Sequence, residues 1–294
     1  MRKVGIFVHP RWKAAWELAR ELRDALAGEV KEVWQTSAWD DKTTQAQLQG
    51  TELLICLGGD GTVLWAARSV ISHPAPILGV NMGRLGFLAE LRPQELLERL
   101  PDVLRGEGRI EERTMLQAQV PAWGLTYHAL NDVVLGRVSA GRPVYIDVSV
   151  EGQRLALYRA DAIIVATATG STAYSLSAGG PILHPQSREL VLTPVAAHLA
   201  AARALVLPAE AVVELVVSAE SPAMVSVDGQ VDRTLGKGES VSVCRSPHVA
   251  RFLRLSQPAE YYAKLAERLD WPRVISASDP AEGGFEEFKG SGPK

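Results

Sequence analysis

Gly58-Gly59-Asp60-Gly61-Thr62 is the first stretch whose residue types could do chemistry. The apolar run Leu-Leu-Ile-Cys-Leu at 53–57 stops at two glycines, and an acid follows between glycines. Glycine lets a ligand come close to the main chain. A strand that ends this way and passes into a helix aims backbone N–H groups at an anion, most often a phosphate. A carboxylate repels phosphate, so Asp60 needs a task of its own. It can orient and deprotonate a hydroxyl that attacks phosphorus, or hold a magnesium ion, as aspartates do in phosphoryl transfer. The plainer alternative is a tight turn in which Asp60 caps the next helix.

Two longer stretches offer complementary chemistry. NMGRLGFLAE at 81–90 follows the strand-like PILGV, which puts it along the same sheet edge as Asp60. Phe87 could lie against a flat base, and Leu88 reads as core. At 160–183, an apolar strand opens into Thr167, Thr169, Gly170, Ser171, Thr172, Tyr174, Ser175 and Ser177. Small hydroxyls beside glycines can bond sugar and phosphate oxygens, and Ser171 or Thr172 equally suits a helix N-cap. Asn131-Asp132 can read a base or ribose edge and also suits a turn. Asp228-Gly229-Gln230 reads as a hairpin turn without a role of its own. The fingerprints GxGxxG and GxxxxGK[ST] are absent, which disfavours standard dehydrogenases and P-loop enzymes. The six histidines lack metal-ligand spacing, so no residue is assigned to a metal.

The elements that must position these residues follow from periodicity. Strand-like VGIFV at 4–8 precedes a helical spacing of Ala15, Leu18, Ala19, Leu22, Ala25 and Leu26, ended by Gly28. Further strands are expected at 30–34, 53–57 and 76–80, with helices at 62–71 and from Pro93. This alternation predicts an α/β domain over 1–105 with a mainly parallel sheet. Past Gly106 the pattern becomes short alternating strands at 146–157, 212–217, 225–227, 241–244 and 252–255, so 106–256 is expected to be β-rich. A helix is expected at 257–271 and disorder at 276–294.

The chain has 294 residues, 47 % hydrophobic and 22 % charged, with a net charge of −3. That allows a sizeable core and gives no global case for nucleic acid. The N-terminal apolar run is too short for a signal peptide, and charges interrupt the apolar region 193–217, so no membrane span is expected. Cys56 and Cys244 sit in apolar stretches and are expected as buried free thiols in the cytoplasm.

GGDGT, NMGRLGFL, Asn131-Asp132, TGSTAYSLSAGGPI and Asp228-Gly229-Gln230, in this order, resemble the NAD kinase family over most of residues 50–235. TGSTAYSLSAGGPI is highly specific. GGDGT also occurs in close variants in lipid kinases and phosphofructokinases. The resemblance implies transfer of a phosphoryl group from ATP, or polyphosphate, to the 2′-hydroxyl of the adenosine ribose of NAD. It also implies an α/β N-terminal domain with a β-sandwich-like C-terminal domain (two-domain α+β overall), a Mg²⁺ requirement and a homodimer or homotetramer with sites near subunit interfaces. The 257–271 helix can return to the first domain in such proteins.

By this resemblance Asp60 is the catalytic aspartate, with Gly61 beside it on the nucleotide, and Phe87 lies near adenine. Asn131 and Asp132 hold NAD. Asp132 stands where the family more often has Glu, one methylene shorter with its charge expected unchanged. Arg159 and Asp161 match an element near the nicotinamide. Thr172, Ala173, Tyr174, Ser175, Leu176 and Ser177 match the ligand-contacting segment, with Tyr174 packing on the ligand and Ser177 bonding it. Gln230 matches a nucleotide-site residue, and Arg142 matches a basic position there. Ala168 replaces a proline common in the family, which loosens the loop without removing a chemical group. Two rival functions share part of this set. A lipid kinase would have no need of the hydroxyl-rich segment, and a non-catalytic NAD(H)-binding sensor would have no need of Asp60.

Overall fold

The computed structural model describes residues 1–37, 41–83, 86–139, 142–197 and 202–271. The chain divides into two units, Met1–Gln257 and Pro258–Lys294. The expected disorder at 276–294 lies outside the described residues.

The first unit begins with the expected alternation. Strands β1 (Lys3–Val8), β2 (Glu32–Ser37), β3 (Leu53–Gly58) and β4 (Ile77–Asn81) run parallel in the order β2-β1-β3-β4. Helices α1 (Lys13–Leu26), α2 (Asp41–Leu48), α3 (Asp60–Ser69) and α4 (Pro93–Leu104) connect and follow them. β3 is buried throughout, because its alternate residues feed two cores. Leu53, Ile55 and Leu57 meet α1 and α4 through Leu18, Leu22, Leu96 and Leu100. Leu54 and Cys56 meet α3 through Val63, Ala66 and Ala67. Each fully buried leucine or isoleucine contributes about 1.5–3 kcal/mol. An unbroken apolar run is what a parallel strand covered on both faces requires.

Twelve further strands complete the first unit. They are β5 (Arg109–Val120), β6 (Leu125–Ala129), β7 (Asp132–Arg137), β8 (Val144–Val150), β9 (Gln153–Ala160), β10 (Ala162–Ala166), β11 (Leu190–Val195), β12 (Leu205–Leu207), β13 (Val213–Val217), β14 (Ala223–Val227), β15 (Val231–Leu235) and β16 (Ser240–Arg254). One sheet, ordered β12-β11-β10-β7-β14-β15, is antiparallel throughout. The other carries β16-β13-β8-β9 and continues through β16 into β4, so it is mixed. Ile146, Val148 and Leu215 from the mixed sheet share a core with Val133, Ile163, Val165 and Val225 from the antiparallel one. This is the sandwich arrangement of inward-facing alternate residues. Alternation in 146–157 thus correctly signals the β8–β9 hairpin, whose turn places Glu151 at φ +52° and Gly152 at φ +72°.

The two strands expected at 241–244 and 252–255 are one strand, β16. Pro247 lies between them, and a register shift between Arg245 and Val249 absorbs it. A bulge lets a strand carry a proline that cannot donate to the ladder. In the second unit, the helix expected at 257–271 is shorter, a 3-10 turn at Pro258–Glu260 and then α5 (Tyr261–Arg268).

Candidate active site

Asp60 occupies the first turn of α3, and Gly59 is the N-cap. Its carboxylate does not cap its own helix. Oδ2 accepts the Phe87 N–H at 2.8 Å and Oδ1 accepts the Leu88 N–H at 3.2 Å. The turn-capping reading is therefore displaced, because the acid holds another loop. A carboxylate can take about four hydrogen bonds, so acceptor capacity remains for a hydroxyl. Gly86 makes the approach possible, since a Cβ there would stand 2.2 Å from Asp60 Oδ1. GGDGT and NMGRLGFL thus form one structure, with the carboxylate at their junction. Leu88 is buried, as expected, and Phe87 is half-buried.

The β14–β15 hairpin supplies the opposite wall. Asp228 and Gly229 have φ +52° and +63°, the left-handed pair that a tight hairpin favours. The Asp228 carboxylate accepts the N–H groups of Leu130, Asn131 and Asp132 at 2.8, 2.8 and 3.1 Å. The turn therefore fixes the Asn131-Asp132 corner, a role its sequence alone did not disclose. Aspartate is an ordinary residue at such a turn, so no local signal marked it. Gln230 follows, its side-chain oxygen and nitrogen buried without a protein partner. Gly59, Gly61, Trp12, Trp65, Asp228 and Gln230 line one cleft of about 320 Å³.

Asp132 and Asp228 face each other in low dielectric. Burial, then the neighbouring Asp228, pushes the Asp132 carboxyl up to about 7. Burial also raises Asp228, to about 6, while its three N–H donors oppose the rise. Burial acts on both carboxyls, and the three N–H donors favour the charged form of Asp228, where Asp132 has none of them. The charge expected on Asp132 is therefore disfavoured by its burial and by Asp228. A carboxyl raised in the folded state binds protons that the unfolded chain has released. Its contribution is fully present below about pH 4 and lost as the pH rises through about 7. Asp132→Asn is expected to flatten the fall in Tm between about pH 4 and pH 7. A Tm–pH slope equal to wild type in scanning calorimetry would contradict this pairing.

The hydroxyl-rich segment divides its groups between fold and surface. Thr167 Oγ1 donates to the Leu130 carbonyl at 2.6 Å and accepts the Gly170 N–H at 3.0 Å. Ser171 Oγ donates to the Ala168 carbonyl and accepts the Leu183 N–H. Thr172 Oγ1 donates to the Thr169 carbonyl, and Ser175 Oγ meets Thr193 Oγ1 at 2.8 Å. Neither Ser171 nor Thr172 caps a helix, and these hydroxyls stitch the loop rather than face outward. Ala173 and Leu176 are half-buried, whereas Tyr174 and Ser177 are exposed on the short helix 174–177. Gly170 seats this loop on the corner, because a Cβ there would stand 2.0 Å from the Asn131 carbonyl oxygen. Gly170→Ala is expected to cost about 1–3 kcal/mol, measured as a lower urea midpoint, and to weaken NAD binding. Wild-type values for both would refute the packing argument.

Three expected site residues lie elsewhere in this chain. Arg142 lines a different cleft of about 420 Å³ with Arg137 and Ser221. Asp161 pairs with Arg137 at 3.2 Å, and Arg159 is exposed on the edge strand β9 opposite Tyr145. Asp161 precedes β10 and Thr167 follows it, so the strand separates them by about 20 Å. Asp60, Gly61, Asn131, Asp132 and Gln230 gather at one end of the sandwich, with the 172–177 segment attached there. Arg142, Arg159 and Asp161 gather at the other.

Comparison with known proteins agrees with this architecture. The model of the ATP-NAD kinase N-terminal domain matches residues 5–108, and that of the ATP-NAD kinase C-terminal domain matches 130–255. An NAD kinase of Dehalococcoides mccartyi is 37% identical over 91% of this chain and 96% of its own length. One of Chloroflexus aurantiacus is 39% identical over 92% of this chain and 99% of its own. Among solved structures, yeast NADH kinase complexed with NADH superposes with a TM-score of 0.85 at 22% identity, covering 95% of this chain and 90% of that one. An Archaeoglobus fulgidus NAD kinase in complex with ATP gives 0.75 at 23% identity, covering 92% and 99%. With both domain models and full-length relatives matched, the chain belongs to the ATP-NAD kinase family.

Proposed function

We propose that this chain transfers the γ-phosphoryl group of ATP to the 2′-hydroxyl of the adenosine ribose of NAD, giving NADP and ADP. The observation that carries the reading is the Asp60 carboxylate, held by two N–H groups with acceptor capacity to spare. In the step, the ribose 2′-oxygen forms the bond to the γ-phosphorus as the bond to the β,γ-bridging oxygen breaks. The 2′-hydroxyl proton passes to Asp60. A loose transition state asks little basicity early, so orientation of the nucleophile is the larger part of the Asp60 contribution. The N–H groups around Gly59 and Gly61, at the positive end of α3, face the phosphate charge. Asn131 and Asp132 hold NAD, Tyr174 packs on it, Ser177 bonds it and Phe87 lies along the adenine. The corner built on Asp228 supports this division, with 1–105 presenting the phosphates and 106–256 holding NAD.

Among the described residues no three His, Cys, Asp or Glu side chains gather as a metal cage. A magnesium ion would travel on the triphosphate, as it does where few protein ligands are offered. We also propose a cytoplasmic setting, supported by the free thiols Cys56 and Cys244. Among the described residues no helix is long and apolar enough to cross a membrane.

The separation of Arg142, Arg159 and Asp161 from Asp60 supports a homo-oligomer in which a second copy brings the nicotinamide-side residues to the site. Mixing two inactive variants, Asp60→Asn and Asp161→Ala, tests it. Subunit exchange is expected to create sites with both wild-type groups and restore measurable turnover. If the mixture stays as inactive as its parts after refolding together, a shared site is ruled out. The reaction itself is tested by following NADP from NAD with ATP, and then with polyphosphate, as donor. Absence of NADP with every donor, despite calorimetric NAD binding, would refute the kinase assignment.

A further inference from the structure

Strand β5 turns two charged residues, Glu111 and Arg113, inward and an isoleucine outward. Ile110 is 49% exposed, whereas Glu111 and Arg113 are buried. Buried charges are tolerated when each is paired and hydrogen-bonded. Glu111 Oε1 accepts from Arg113 Nε at 2.8 Å and from Arg254 Nε at 3.1 Å, and Oε2 meets Arg109 Nη1 at 3.1 Å. Burial works to raise the Glu111 carboxyl, yet Arg113 and Arg254 hold it at about 2. A second acid, Glu90, accepts from Arg254 Nη1 at 3.3 Å and from the Leu255 and Ser256 N–H groups at 3.0 and 2.7 Å. The Phe252 ring lies 5.8 Å from the Arg113 guanidinium and 4.9 Å from that of Arg254.

The ends of this network touch the two halves of the site. Arg254 Nη1 donates to the Leu88 carbonyl at 2.9 Å, and the Leu88 N–H holds Asp60 Oδ1. Arg113 Nη1 donates to Thr169 Oγ1 at 3.3 Å. Thr169 belongs to the loop in which the Thr167 N–H bonds the Asn131 carbonyl and Gly170 packs against it. Bonded groups thus run without a break from the Asp60 carboxylate to the Asn131 corner.

We infer that Arg254, Glu111 and Arg113 are positioning residues that hold the Asp60 carboxylate in register with the loop 167–170. They touch neither substrate. The inference rests on the role proposed for Asp60. A displacement on the order of 1 Å far from the reacting atoms can cost about a hundredfold in rate. An arginine fork that ties one carbonyl and two carboxylates is suited to prevent such a displacement.

A double-mutant cycle on the full chain tests it, with kcat and the KM for NAD measured per folded enzyme at saturating ATP. Arg254→Met is expected to lower kcat about a hundredfold, with KM for NAD changing less than about threefold. Arg254→Lys is expected to restore part of the loss. In the Asp60→Asn background the same Arg254→Met change is expected to lower the residual rate by less than about threefold, the signature of groups acting together. An equal loss in both backgrounds, or a loss that vanishes once the rate is expressed per folded enzyme, would overturn the inference. Glu111→Gln, which preserves shape, provides the same cycle if Arg254→Met does not fold. Additivity with an inactive Asp60→Asn defeats this inference alone. An Asp60→Asn enzyme that turns over at the wild-type rate defeats the Asp60 assignment and this inference with it.

Discussion

Asp60→Asn is expected to lower kcat by about two to four orders of magnitude, the range that a positioned general base contributes, while the Kd for NAD stays near wild type. The amide keeps the volume of the acid and one oxygen able to accept a main-chain N–H. It loses the charge, and it cannot take the 2′-hydroxyl proton. One of the two N–H groups, that of Phe87 or that of Leu88, would then face the amide nitrogen instead of an oxygen. Some loosening of the 86–88 loop therefore accompanies the chemical loss. Steady-state kinetics with calorimetric NAD binding separates the two effects. Turnover within about tenfold of wild type, well short of what general-base catalysis provides, would remove Asp60 from the reaction.

Gly86→Ala is expected to have nearly as large an effect without deleting any catalytic group. The new methyl group would stand 2.2 Å from Asp60 Oδ1 and 2.5 Å from Cγ, so the carboxylate must move. It is the far end of a short side chain, half-buried, and can swing outward at little cost to the fold. The expected result is a Tm close to wild type with kcat lowered by about a hundredfold or more, as a misplacement of about 1 Å allows. The contrast with Gly170→Ala is instructive. There the added atom meets a backbone carbonyl, which cannot swing away, so the cost falls on stability as well. A Gly86→Ala enzyme with normal kcat would mean that the carboxylate position in the free chain is not the one used in the reaction.

Local pattern made a good part of this legible. The apolar run at 53–57 signalled a doubly covered strand, and the glycines after it signalled a ligand-facing turn. Of the helical spacing Ala15, Leu18, Ala19, Leu22, Ala25 and Leu26, all but the exposed Ala25 form the buried face of α1. What failed did so where a charge or a proline has a distant partner. Glu111 and Arg113 drew no reading, because the buried network they join is closed by Arg254, 143 residues beyond Glu111. Pro247 read as a break because the bulge that accommodates it depends on pairing with β5. Asp228 read as an ordinary turn residue because its three donors belong to residues 130–132.

The order of the motifs and the chemistry of their residues determined by themselves that this is an ATP-NAD kinase family chain with an acid among glycines at a strand end. Those features are local, set by φ freedom, side-chain type and apolar period. Only the tertiary structure decided which residues share a site. It joined Asp60 to the Phe87 and Leu88 amides, fixed Asn131 on Asp228, and buried Asp132 beside that second carboxylate. It also put Asp161 a strand's length from Thr167 and the Asn131 corner. Hydrogen bonds and burial act between neighbours in space, and a chain's periodicity carries no record of which distant segments those neighbours will be.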